Sequence, residues 1–238
     1  MSRWAAASGV VFFLLWAPMG LVVLQAPDLG SSAEIHGFYA SHGGLVEVVA
    51  LLVGVGFLFL LYFLGALLDE LRRAEPSGPL TWLALASSLV FVTSLNIAVG
   101  LVATARLLSG TISPDALRGV HAAAFVIAAP AAAAGTGFFA AIAALTFRAP
   151  AIPNWLAWAA VIGAVANLGA LAGVISVTGP LNAGNGIVGG PLVPVSAWLA
   201  WILLASLHWL RSPRDAPGRG RRRARSRGCA HFQCPGRG

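Results

Sequence analysis

Apolar residues fall in long uninterrupted runs, separated by short clusters of Pro, Gly, Ser and charged residues. The clearest run covers residues 48–68. One carboxylate, Glu47, precedes it, and Asp69, Glu70, Arg72 and Arg73 end it abruptly. A hydrocarbon layer about 30 Å thick needs roughly 20 apolar helical residues at about 1.5 Å each, so this run predicts a membrane-spanning helix. The pattern recurs along the chain and predicts spans over residues 4–24, 45–68, 80–105, 119–147, 155–177 and 190–210. The expected fold is therefore all-α: a polytopic bundle of six transmembrane helices over 1–210, followed by a disordered basic tail over 211–238.

Local signals refine this picture. Pro18 should bend the first span, and Pro130 falls near the middle of the fourth. The first apolar run is longer than the core of a signal peptide and lacks a small-residue cleavage site, so it is expected to stay as a span. Between spans one and two, Ser31-Ser32-Ala33-Glu34 has the spacing of a capping box, with Ile35, Phe38 and Tyr39 on one helical face after it. This predicts a short helix lying in the interface. In the fifth span Gly169 and Gly173 stand four apart, the spacing that lets two helix backbones approach closely and that would serve a membrane-protein partner or a homo-oligomer. Residues 178–194 are uncharged and rich in Gly, Asn and Pro. They predict an external loop, with a re-entrant loop as the alternative.

Composition agrees with a bilayer environment: 58% of residues are hydrophobic and 10% charged. Charge decides the orientation. With both termini cytoplasmic, the inner flanks hold Arg3, Arg72, Arg73, Arg148, Arg211 and Arg214, and the outer flanks only Arg106 and Arg118. Trp4, Trp82, Trp155, Trp158 and Trp209 fall at the same inner ends, where indole rings favour the interface. Lys is absent, while Ala, Gly, Pro and Arg are abundant, a usage that suggests a GC-rich bacterium and hence the bacterial inner membrane. Nearly all the excess positive charge lies in the tail. Its residues Arg219, Arg221, Arg222, Arg223, Arg225 and Arg227 would attract anionic lipid headgroups, and a membrane-tethered tail meets lipid before nucleic acid.

Depth along the spans sorts the remaining polar residues into two groups. Glu47, Arg106, Arg118 and His121 share the level of the outer rim, with His36 and His42 beside them. One reading is an interfacial anchor in which Glu47 pairs with an Arg. The other is a proton or ligand site, with Glu47 titrating, His121 relaying and the two Arg attracting an anion. Asn96 and Asn167 lie near the midplane, either as hydrogen-bonding glue between helices or as part of a substrate site. No zinc-protease or phosphate-loop motif is present, and no serine and histidine fall together at catalytic depth, so neither an enzyme, a cofactor nor a metal is expected. Cys229, His231 and Cys234 form too small a set to argue for a metal.

The stretch GGLVEVVALLVG with its early Glu47, and the charged exit LLDELRR, resemble those of small bacterial multi-spanning integral membrane proteins of unknown function. The resemblance covers roughly the first hundred residues, implies a membrane bundle, and brings no activity with it. The functional expectation is small-solute or proton-coupled transport, or ligand binding at the outer face. A structural or regulatory subunit acting through helix contacts is the alternative, and a membrane-embedded enzyme the third.

Overall fold

The computed structural model describes residues 1–76, 78–148 and 152–212. Their helices are α1 (Arg3–Gln25), α2 (Ser32–Ala74), α3 (Pro79–Leu108), α4 (Pro114–Val126), α5 (Ala128–Arg148), α6 (Asn154–Ala170) and α7 (Leu192–Arg211). No strand occurs among the described residues. Because α4 and α5 together form one broken passage, six helical segments are long and apolar enough to cross a membrane. The chain is thus an all-α, multi-pass membrane protein. Its helices close into a ring in which α1 touches α2, then α3, α5, α6 and α7 follow in turn, and α7 returns to α1. The helix ends carrying Glu47, Arg106 and His121 form one end of the ring, and those carrying Arg3, Glu70, Arg148 and Arg211 form the other.

The separate interfacial helix expected between spans one and two is absorbed into α2. Ser31 caps its start, its side chain accepting from the Glu34 amide, and the helix then runs unbroken for 43 residues. Its path through His42-Gly43-Gly44 contains no proline to stop it, and Gly43 is where the Arg106 guanidinium lies against the backbone. Any β-carbon there would collide with that group. The predicted fourth span is interrupted at Ile127, three residues before Pro130. Proline cannot donate to Val126, and its ring displaces that carbonyl, which accounts for the irregular turn. Pro18, by contrast, lies within an unbroken α1.

Large aromatic rings fill the middle of the ring of helices. Trp198 of α7 meets Phe12 of α1, Phe91 of α3 and Phe138 of α5, with centroids 6.2, 5.5 and 5.5 Å away. Trp201, one turn further along, packs edge-on against Phe138 and Phe139 and donates its indole N–H to the Leu156 carbonyl at 3.0 Å. Edge-to-face and tilted contacts at these separations are the favourable arrangements for aromatic pairs. Toward the Glu47 end, an apolar cavity of ≈ 40 Å³ is lined by Trp16, Leu95, Val195 and Phe125, among others. On α1 and α3 its residues Trp16 and Leu95 stand one helical turn beyond the plug residues Phe12 and Phe91, so the cavity lies directly on the plug.

Helix α6 stops at Ala170, short of the predicted span, and a 3₁₀ turn over Leu171–Val174 leads into the loop before α7. Asn182, almost fully buried, organises that loop. Its side-chain oxygen accepts from the Gly184 and Asn185 amides, and its amide nitrogen donates to the Gly179 carbonyl. Val188 and Gly189 both donate to the Pro180 carbonyl. Much of the loop's polar backbone is therefore satisfied internally, while Val174, Ile175, Val177 and Ile187 stand exposed. The loop packs on the connection between α1 and α2, where Gly184 lies close to the Pro27 carbonyl and Leu29.

Candidate functional site

The Glu47 end of the bundle is built from α2, α3 and α4. The two N-terminal segments of α2 and α4 run side by side, pinned at their starts by a hydrogen bond of 2.6 Å from Ser32 Oγ to Asp115 Oδ1. Ser113 caps α4 through the Ala116 amide, so both helices enter with fixed starts. About two turns below, Tyr39 Oη and His121 Nδ1 meet at 2.8 Å. Both side chains are fully buried. The imidazole is enclosed by Phe38, Tyr39 and Phe125, with ring centroids 6.4, 5.6 and 4.7 Å away. The Pro27 carbonyl is near enough to act on the ring, yet Nε2 has no partner in hydrogen-bond geometry. Donation by the phenol to Nδ1 puts the imidazole proton on Nε2.

Glu47 and Arg106 form the second element. Arg106 Nε lies 3.0 Å from Glu47 Oε1, but its N–H is not aligned for a hydrogen bond, so the contact is an ion pair alone. With side chains 51% and 33% exposed, the pair is solvent-screened and contributes at most about 1 kcal/mol. Ser109 Oγ holds the end of α3 by donating to the Arg106 carbonyl at 2.8 Å. Arg118 is half-buried and has no ion-pair partner among the described residues. His42 stacks on Phe38 at 5.2 Å, which extends the aromatic tier outward, and His36 is exposed.

Two of the four rim residues singled out from sequence, Glu47 and Arg106, are therefore in contact, while His121 is engaged by Tyr39 instead. Tyr39 shares one helical face with Ile35 and Phe38 in the sequence pattern, which does not mark it as a site residue. The available signal was a single phenol on the apolar face formed by Ile35 and Phe38, since a buried tyrosine hydroxyl usually finds a partner.

The deep asparagines do not bond to each other. Asn96 Nδ2 donates to the Val92 carbonyl at 2.9 Å and Asn167 Nδ2 to the Gly163 carbonyl at 2.9 Å, each within its own helix. Asn167 Oδ1 has no hydrogen-bond partner and lies against Gly135 of α5. Here α5 and α6 approach closely: Phe139 packs on Gly163, and Thr136 Oγ1 reaches the Ala164 carbonyl at 3.4 Å. Of the two glycines singled out for helix packing, Gly169 has room around it, a β-carbon there meeting only Val188 within 4 Å, and Gly173 packs on Gly189 of the loop. Gly169 lies in the last turn of α6, and Gly173 lies in the 3₁₀ turn after it, beside Ala129 of α5.

Among the described residues, no three His, Cys, Asp or Glu side chains come together as a metal site. The tail residues Arg219, Arg221, Arg222, Arg223, Arg225 and Arg227, with Cys229, His231 and Cys234, lie outside the described residues. Comparison with protein-family models, with curated proteins and with solved structures finds no match for this chain.

Proposed function

We propose that this chain is a protein of the bacterial inner membrane, with both termini cytoplasmic, that binds a small anion at its outer end and acts through its helices. The observation that carries this reading is α2 itself. One unbroken helix of 43 residues bears Tyr39 and Glu47 near one end and Asp69, Glu70, Arg72 and Arg73 at the other. An event at the rim is thereby connected to the opposite membrane face through a single rigid element. Arg106, only half engaged by Glu47, and Arg118, without an ionic partner among the described residues, supply the positive charge for an anion. Transport of a solute or of protons through the bundle would require the contacts among Phe12, Phe91, Phe138 and Trp198 to part.

The test pairs two measurements on the full chain. Melting in detergent is followed while small carboxylates and phosphates are titrated, for the natural chain and for Arg106→Gln and Arg118→Gln. A stabilising anion whose effect falls in both variants, and which is not carried into proteoliposomes, fits a binding protein. Anion-driven flux into the liposomes would return the chain to the transport reading, and an absence of any anion effect would remove the rim as a ligand site.

A further inference from the structure

At the Glu70 end, an open groove of ≈ 620 Å³ runs along the outside of the bundle between α2 and the start of α1. That volume lies within the range of small-molecule sites. Its chemistry changes along its length. Leu61, Tyr62, Gly65 and Ala66 form the part nearer the middle of the apolar span, and Asp69, Glu70 and Arg73 form the part where that span ends. Gly65 is exposed, and a β-carbon there would meet nothing within 4 Å, so the floor is shallow because the residue is small and not because another helix fills it.

The charged part is unevenly satisfied. Glu70 is engaged twice, by the Met1 amino group and by Arg73 Nη1 at 2.7 Å. Asp69 is exposed and has no ion-pair partner among the described residues, while the Arg73 side chain keeps 70% exposure despite its bond to Glu70. Arg72 is turned away, its guanidinium 5.2 Å over the Trp82 ring of α3. The groove thus offers an apolar channel, then one free carboxylate and one accessible guanidinium within a helical turn of each other.

We propose that this groove is a binding site for one zwitterionic membrane lipid whose headgroup carries a primary ammonium beside a phosphate, such as a phosphatidylethanolamine. The acyl chain lies along Leu61, Tyr62 and Gly65, the ammonium donates to Asp69, and the phosphate accepts from Arg73. Hydrocarbon first and headgroup charge at the interface is the order of a lipid; the ethanolamine arm folds back along α2, so that its ammonium reaches Asp69 one turn before the Arg73 that holds the phosphate. An anionic headgroup would leave Asp69 facing a like charge. A choline headgroup satisfies the charge but has no N–H to donate. This site is at the opposite end from the rim and does not depend on it.

The full chain in detergent is incubated with equimolar phosphatidylethanolamine, phosphatidylcholine and phosphatidylglycerol of identical acyl chains, and retained lipid is read by native mass spectrometry. The ethanolamine lipid should be retained about two- to fivefold over the choline lipid, the range that a partly exposed ion pair supplies. Asp69→Asn, an exposed and nearly isosteric substitution, should abolish that preference while leaving melting unchanged. Gly65→Leu fills the floor and should lower retention of all three lipids. Equal retention of the ethanolamine and choline lipids, a preference unaltered in Asp69→Asn, or a groove indifferent to Gly65→Leu would each overturn the assignment. So would a dimer that disappears in Gly65→Leu while lipid retention stays the same, since the groove would then hold a helix of a second copy.

Discussion

Tyr39 Oη and His121 Nδ1 lie 2.8 Å apart across 82 residues of sequence, and the bond joins, below the exposed Ser32–Asp115 link, two helix segments that meet there through buried apolar side chains. Removing the phenol hydroxyl strands a buried ring nitrogen. Tyr39→Phe should destabilise the protein by about 1–3 kcal/mol in unfolding from detergent or bicelles. Replacing both residues, with Tyr39→Phe and His121→Phe, should cost less than the sum of the single changes. Additive losses would mean that the contact carries no coupling.

The ion pair at the rim should behave differently from the glycine beneath it. Glu47→Gln should cost at most about 1 kcal/mol, and the loss should shrink as salt is raised. Gly43→Ala places a β-carbon against the Arg106 guanidinium and should cost more, with little dependence on salt. Equal effects from the two variants would show that Arg106 moves aside freely.

At the crossing of α5 and α6, Gly135→Ala forces a methyl group onto the Asn167 amide. The expected loss is about 1–3 kcal/mol, and adding Asn167→Ala should restore at least half of it by making room. Gly169→Ala, whose nearest neighbour is Val188 at 3.8 Å, should be close to neutral. A rescue that fails would place the strain elsewhere than at Asn167.

The apolar cavity beside Trp16 and Leu95 permits a stabilising change. Ala98 lines it, and Ala98→Val should raise stability by up to about 1 kcal/mol, since a void of ≈ 40 Å³ costs about 24 cal/mol per Å³. The melting temperature of the full chain in detergent reads the effect. A lower melting temperature would show that the wall is already in contact there.

The spans were legible because a run of about 20 apolar residues bounded by charge admits few other structures in a bilayer, and the Ser31 cap was legible from its spacing to Glu34. The length of α2 was not. A polar segment carrying His36, Ser41 and His42 reads as a connection, and only the neighbouring α4, with Asp115 and His121, supplies the partners that keep it helical. The pair Gly169 and Gly173 matched a helix-packing pattern; the α-helix ends between them, Gly173 packs beside Ala129 of α5 and Gly189 of the loop, and Gly163 and Gly135 make a further close approach that no such pattern marked. A spacing rule cannot tell which of several glycines has a neighbour. The central plug had a readable signal. Phe12, Phe91, Phe138, Trp198 and Trp201 lie inside their spans and not at the ends, where interfacial aromatics are expected.

Helices of 43 and 17 residues share one closed ring, so the wall of the protein differs in height around its circumference. At about 1.5 Å per residue, α6 reaches about 26 Å, and only the 3₁₀ turn Leu171–Val174 after it brings the passage to the hydrocarbon thickness, with the exposed Ile175, Val177 and Ile187 continuing the apolar belt in irregular backbone. This side has the least length to spare. In a thicker bilayer, lipids beside α6 either shorten or are met by a tilt of the whole bundle, at a fraction of a kcal/mol per Å. Membranes of different thickness would thus tip the α2 axis by different amounts, and sorting among them becomes a property of the shortest helix.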